Sequence, residues 1–222
     1  NEGASKTRGA RKEFPAVAVI VAEATEVTIY DGDDPNLPMW MVFVAGEITA
    51  MGGAFQFWGT STTGVVSTVA MLNGELIIGV NNGSDSGTYV GIAGANFISD
   101  KTYFRRHYAN QYVKYLYPIS KRNETQVAAG GVLSAGLGGK NVNEISMTVL
   151  PNTPIDKTTG LPIPAVAIAS DGCINVISTK SDNQNTDNQV GITSHLITSN
   201  DAVNRVSWMS PSRLVATAPL YY

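Results

Sequence analysis

Cysteine, histidine, charge and long apolar runs are all scarce in this chain, and each scarcity removes a class of protein. The single cysteine, Cys173, has no partner for an internal disulfide and falls in an apolar β-type run, so it reads as a small core residue without redox chemistry. With only His107 and His195, a zinc-type site would depend on carboxylates, and no ligand spacing of that kind occurs. Charged residues are 15% of the 222, below the ~25% of average soluble proteins, so long solvated helices are not expected. The longest apolar runs, Ala16 to Ala22 and Met39 to Ala45, fall well short of the ~20 residues of a spanning helix, and no membrane insertion is expected. A formal net charge of −3 argues against nucleic acid as a partner. The basic residues Lys6, Arg8, Arg11 and Lys12 then read as part of a flexible, solvated tail over residues 1–13. The chain opens on Asn1 with no signal-peptide pattern, and the expectation is a processed product or a segment of a longer protein.

What remains is apolar, glycine-rich and short in period. Hydrophobic residues are 43% and glycines number 22, enough for a full core with many turns. The run Pro164 to Ser178 joins two apolar segments through Asp171-Gly172, a hairpin signal because a tight turn needs residues that tolerate positive φ. Its first half, Pro164-Ala165-Val166-Ala167-Ile168, has a counterpart in Pro15-Ala16-Val17-Ala18-Val19, again followed by a β run, Glu26 to Tyr30. Ser67 to Val80 and Asn204 to Ala218 form a second such pair. Repetition of this kind signals a repeat architecture.

Along the chain, strands are expected over Pro15 to Ala22, Val27 to Tyr30 and Met39 to Val44, with an acidic turn at Asp31 to Pro35. Residues 46–65 hold Phe55, Phe57 and Trp58 among glycine, threonine and serine, and are read as a connection folded onto the core. Four strands follow between Val65 and Ile98. Tyrosines at 108, 112 and 115, spaced by four and three, predict one peripheral helical face with wet hydroxyls. A proline-punctuated excursion from Pro151 to Pro164, the central hairpin, a strand over Val190 to Thr198 and a last strand pair complete the chain.

Groups of short antiparallel strands at this spacing are the signature of β-propeller blades. The expected fold is therefore all-β, a propeller or partial propeller of four-stranded antiparallel blades over residues 14–222. Blades fall at 65–104 and 144–198, with partial ones at 14–45, lacking a first strand, and 203–218. Val206-Ser207-Trp208, a polar turn and Leu214 to Thr217 resemble the inner strands of a WD-type blade. The strings Val27 to Phe43, Met71 to Gly79 and Pro164 to Ala169 resemble an uncharacterised family of repeat proteins in tailed bacteriophages of marine and environmental origin. That resemblance implies a virion protein associated with tails or fibres, with no catalytic residues to carry over.

No catalytic constellation stands out in the sequence. Asp31-Gly32-Asp33-Asp34 is acidic enough for calcium, but Pro35 breaks the ligand register and a turn accounts for the cluster. Ser134 lacks the glycine spacing of a nucleophile elbow, and Gly138-Gly139-Lys140 lacks the first glycine and the hydroxyl of a phosphate loop. No catalytic, cofactor or metal site is expected. The leading expectation is a non-enzymatic structural or host-contact module of a phage appendage, located in the virion. Its partners would be other virion proteins or a host receptor, and it would act as a homo-oligomer or within a larger assembly. The alternative is a propeller that binds or hydrolyses host-surface glycan, with Trp40, Phe57, Trp58 and Tyr89 as the contact surface.

Overall fold

A computed structural model describes residues 11, 13–44, 54–55, 64–82, 91–106, 114–115, 118–123, 126–127, 137–178, 191–196, 203–210 and 213–217. They are all-β, arranged as several small antiparallel sheets. Strands β1 (Ala18–Glu23), β2 (Glu26–Asp31) and β3 (Met39–Val44) form the first meander. A short β4 (Ala54–Phe55) precedes the second sheet of β5 (Gly64–Leu72), β6 (Glu75–Asn82), β7 (Gly91–Asn96), β8 (Lys101–Arg106) and β9 (Lys114–Tyr115). After a 3-10 turn at Ile119–Lys121, β10 (Gln126–Val127) returns to pair with β4. The third sheet is β11 (Val142–Thr148), β12 (Ala165–Ser170), β13 (Cys173–Ser178) and β14 (Gly191–Leu196), and the fourth is β15 (Arg205–Ser210) with β16 (Arg213–Thr217).

Turn chemistry explains why the strands reverse where they do. Asn73 and Gly74 both take positive φ, +48° and +79°, the conformation a two-residue primed hairpin demands. At Asp171-Gly172 only the glycine does, at +78°, so that turn departs from the doubly left-handed form its sequence predicts.

The four sheets pack face to face in chain order, and alternation along single strands shows how. In β6, Leu76, Ile78 and Val80 join Val27, Ile29, Met41 and Phe43 of the first sheet, whereas Ile77 points the other way to Val142, Ile145 and Ile168 of the third. In β12, Val166 and Ile168 meet the second sheet while Ala167 and Ala169 meet Val206, Trp208 and Leu214 of the fourth. Strands β6 and β12 are thus buried on both faces, which is why Leu76 to Val80 and Ala165 to Ala169 read as continuous apolar runs rather than alternating ones. Each fully buried Ile or Leu of this kind contributes roughly 1.5–3 kcal/mol of transfer free energy.

The sheets also approach one another unevenly. Between the stacked sheets, contact is most extensive along their first two strands. Ser67 of β5 donates its hydroxyl to the Val142 carbonyl of β11, and Glu144 of β11 accepts the Val206 amide of β15 at 2.6 Å. Trp208 Nε1 adds a bond to the Ser146 carbonyl at 3.3 Å. Strands β11 and β15 run in the same direction, since Glu144 and Ser146 meet Val206 and Trp208 in order. Near β5, the Val66 amide donates to the carbonyl of Ala24, at the far end of β1. Among the described residues the stack does not close into a ring or barrel.

Two local expectations differ from what is seen. Tyr115 lies in β9, paired with Tyr103, and not on a helical face; three tyrosines are too few to fix a period against an available strand edge, and Tyr108 and Tyr112 fall outside the described residues. Arg11, within the stretch read as a mobile tail, is held by Asp31 and Asp33 at 2.7 and 2.9 Å. Glu13 of the same stretch accepts the Trp40 indole N–H at 2.8 Å. The cause is Asp31, a carboxylate only 5% exposed, which draws the nearest cation onto it.

Candidate contact surface

Strand direction assembles one loop-bearing end of the stack. It gathers the β2–β3 turn, the β5–β6 turn at Asn73-Gly74, the β7–β8 turn through Phe97 and the long β11–β12 excursion. These are physically joined. Phe14 packs edge-on against Trp40 and Phe97, with ring centroids 4.8 and 5.0 Å apart. The Phe97 amide donates to the Gly74 carbonyl at 2.9 Å, and Asn73 Nδ2 donates to the Pro162 carbonyl at 2.7 Å. A continuous network therefore runs from the first sheet to the third.

Among the described residues this end carries several exposed apolar side chains: Phe14, Leu37, Ile155 and Leu161 are 37, 45, 54 and 44% exposed. Ile155 and Leu161 flank the tip of the excursion, where a bridge between Ile155 and Pro162 closes a small loop. Asp156 stiffens that tip by accepting the amides of Thr159 and Thr158 at 3.0 and 2.9 Å, bonds that hold its carboxyl below the ordinary range. Apolar side chains held on such a frame present a preordered surface.

The acidic turn at the same end is structural. Asp33 accepts the amides of Ala16 and Val17 at 2.8 and 2.9 Å, and these bonds lower its pKa, with Arg11 adding to the effect. Asp31 takes Arg11 and the Asp33 amide, and Asp34 takes the Asn36 amide and side chain. Every carboxylate of the cluster accepts bonds from the chain itself, and no group of three His, Cys, Asp or Glu poised for a metal occurs among the described residues.

Of the four aromatics expected at a contact surface, Trp40 is 3% exposed and belongs to the core. Its ring is sandwiched among Phe14, Phe97 and the strands beneath, because an indole at a sheet end buries more area inward than outward. Phe57, Trp58 and Tyr89 lie outside the described residues. Sequence reasoning passed over Leu37, Ile155 and Leu161; the available signal was isolated apolar residues inside proline-rich turns.

Two buried polar clusters lie elsewhere. Cys173, 1% exposed, sits 3.1 Å from the Ser170 hydroxyl and 3.2 Å from Asn175 Nδ2, while the Gly138 amide donates to Asn175 Oδ1. Gly138 and Gly139 lie tight against these side chains, leaving the thiol enclosed. Glu75 accepts the Tyr103 hydroxyl and Asn96 Nδ2, both at 2.6 Å, and burial of its carboxyl pushes the pKa up.

Comparison with protein-family models, curated proteins and solved structures returned no match. No helix among the described residues is long and apolar enough to cross a membrane.

Proposed function

We propose that this chain is a propeller-type binding scaffold that works as a contact module of a virion appendage. The observation that supports the fold is the wedge formed by β5, β11 and β15: first strands lie side by side across successive sheets, as they must when blades fan out around an axis. Strand direction supports it too. The end of β1 meets the start of β5, so β1 runs like the second strand of a blade, in keeping with a first sheet that lacks its innermost strand.

Contact is made at the loop-bearing end, through Leu37, Ile155 and Leu161 on their hydrogen-bonded frame. The virion setting rests on the sequence resemblance to tailed-phage proteins. Two measurements test the reading together. Proteomics of purified particles is expected to find the chain, and absence from intact particles overturns the virion setting. A double variant, Ile155→Asp with Leu161→Asp, is expected to keep the thermal midpoint of the parent while losing at least tenfold in affinity for its appendage partner, because two anchors leave the apolar centre of the contact. Unchanged affinity removes the loop-bearing end as the contact surface. Release of new reducing ends from host polysaccharide would instead favour the glycan-cleaving alternative.

A further inference from the structure

The β5–β6 and β7–β8 turns meet at one carboxyl. Glu75 opens β6 directly after Asn73-Gly74 and lies opposite Asn96, the last residue of β7. Its two oxygens accept the Tyr103 hydroxyl of β8 and Asn96 Nδ2, each at 2.6 Å. The other end of the Asn96 amide holds the turn: Oδ1 accepts the amides of Ile98 and Ser99 at 3.0 and 2.9 Å and the Ser99 hydroxyl at 3.1 Å. One side chain therefore ties Glu75 to the β7–β8 turn. Phe97 of that turn packs on Phe14 and Trp40, and its amide donates to the Gly74 carbonyl.

Both donors to Glu75 are neutral. Strands β5, β7 and β11 pack against β6. The first two hold no ionisable residue, and the one in β11, Glu144, is turned to the fourth sheet, where it accepts the Val206 amide. Lys101, Tyr103 and Arg105 share a face of β8; the two cations lie opposite Asn96 and Ile92, and neither bonds Glu75. Ionised Glu75 thus places an unpaired charge in a desolvated site, which is costly.

We infer that Glu75 is a proton-controlled latch on the loop-bearing end: protonated, it holds the β7–β8 turn against β6, and ionised, it draws in water and loosens that turn. The neutral acid keeps both contacts, its carbonyl oxygen accepting Asn96 Nδ2 and its own O–H donating to the Tyr103 oxygen in place of the reverse bond. The ionised form gains its solvation only where Asn96 or Tyr103 gives way. Burial raises the group above its ordinary 4.5, so the closed form is that of lower pH and the latch opens as pH rises through the raised value. Its bearing on partner contact rests on the role proposed above for this end.

The test follows the full chain by NMR across a pH series, with glutamate carboxyl carbons and backbone amides labelled. In the parent, the Glu75 carboxyl is expected to titrate above 4.5, and the amides of Phe97, Ile98 and Ser99 and the Trp40 indole N–H are expected to shift with the same midpoint. Glu75→Gln, neutral throughout, is expected to hold those four signals at their low-pH positions. Asn96→Ala is expected to leave the Glu75 carboxyl titrating while the amides of Ile98 and Ser99 no longer follow it. Circular dichroism checks that both variants fold, and the parent series needs neither. A Glu75 midpoint at or below 4.5, a turn that stays fixed while Glu75 titrates, or turn signals that titrate unchanged in folded Glu75→Gln would each overturn the inference. No partner enters these measurements, so the latch stands or falls separately from the contact role of this end.

Discussion

The ring of Tyr103 occupies the space that a side chain at Gly94 would need: a Cβ built on that glycine would overlap the phenol, whose hydroxyl donates to Glu75 Oε1 at 2.6 Å. Gly94 and Tyr103 are direct partners across β7 and β8, and the absence of a side chain at one lets the other lie over the sheet and reach β6. Gly94→Ala is therefore expected to lower stability by about 1–3 kcal/mol through overpacking. The shift of the urea midpoint at unchanged slope measures it, and a midpoint equal to that of the parent would show that the ring moves aside freely.

Glu75 makes stability depend on pH with an unusual sign. Burial raises its folded pKa above the ordinary value of 4.5, so the native state holds a proton that the unfolded state releases. From the unfolded value upward, stability falls as pH rises, until the raised folded value is passed. Glu75→Gln keeps an acceptor for the Tyr103 hydroxyl and removes the charge. It is expected to flatten that decline and to unfold at a higher temperature than the parent at neutral pH, and parallel melting curves at every pH would contradict this.

Adjacent isoleucines report on different interfaces. Ile77 and Ile78 are both fully buried, yet one faces the third sheet and the other the first. Truncation of either to alanine is expected to cost about 2–5 kcal/mol. Hydrogen exchange separates them: Ile77→Ala is expected to speed exchange in β11 and β12, and Ile78→Ala in β2 and β3. The same exchange pattern for both would argue against sheets stacked on both faces.

Asp33 anchors the entry to β1 by accepting two successive amides. Because those bonds lower its pKa from 3.8, the anchoring is present above the unfolded value and is lost as pH falls through the lowered folded one. Asp33→Asn is expected to speed amide exchange at Ala16 and Val17 at neutral pH while leaving β12 unchanged, read residue by residue by NMR.

Much of the strand layout was legible because turn residues punctuate it. Asn73-Gly74 and Asp171-Gly172 mark hairpins, and the apolar runs Leu76 to Val80 in β6 and Ala165 to Ala169 in β12 announce strands with no wet face. The contact surface was not legible in the same way. Trp40 looks like a ligand platform in sequence, yet Phe14 and Phe97, distant in the chain, close over it. Leu37, Ile155 and Leu161 look incidental until strand direction carries them to one end. Arg11 likewise reads as tail until a buried Asp31 is placed beside it.

Sequence alone determined the all-β class, the hairpins and the limits of most strands, because side-chain alternation and turn conformations act over a few neighbouring residues. Tertiary structure decided which face of each sheet meets which neighbour, which aromatics are covered and which end presents its apolar side chains. Those outcomes depend on the stacking of sheets far apart in the chain, which brings together residues that no local pattern links.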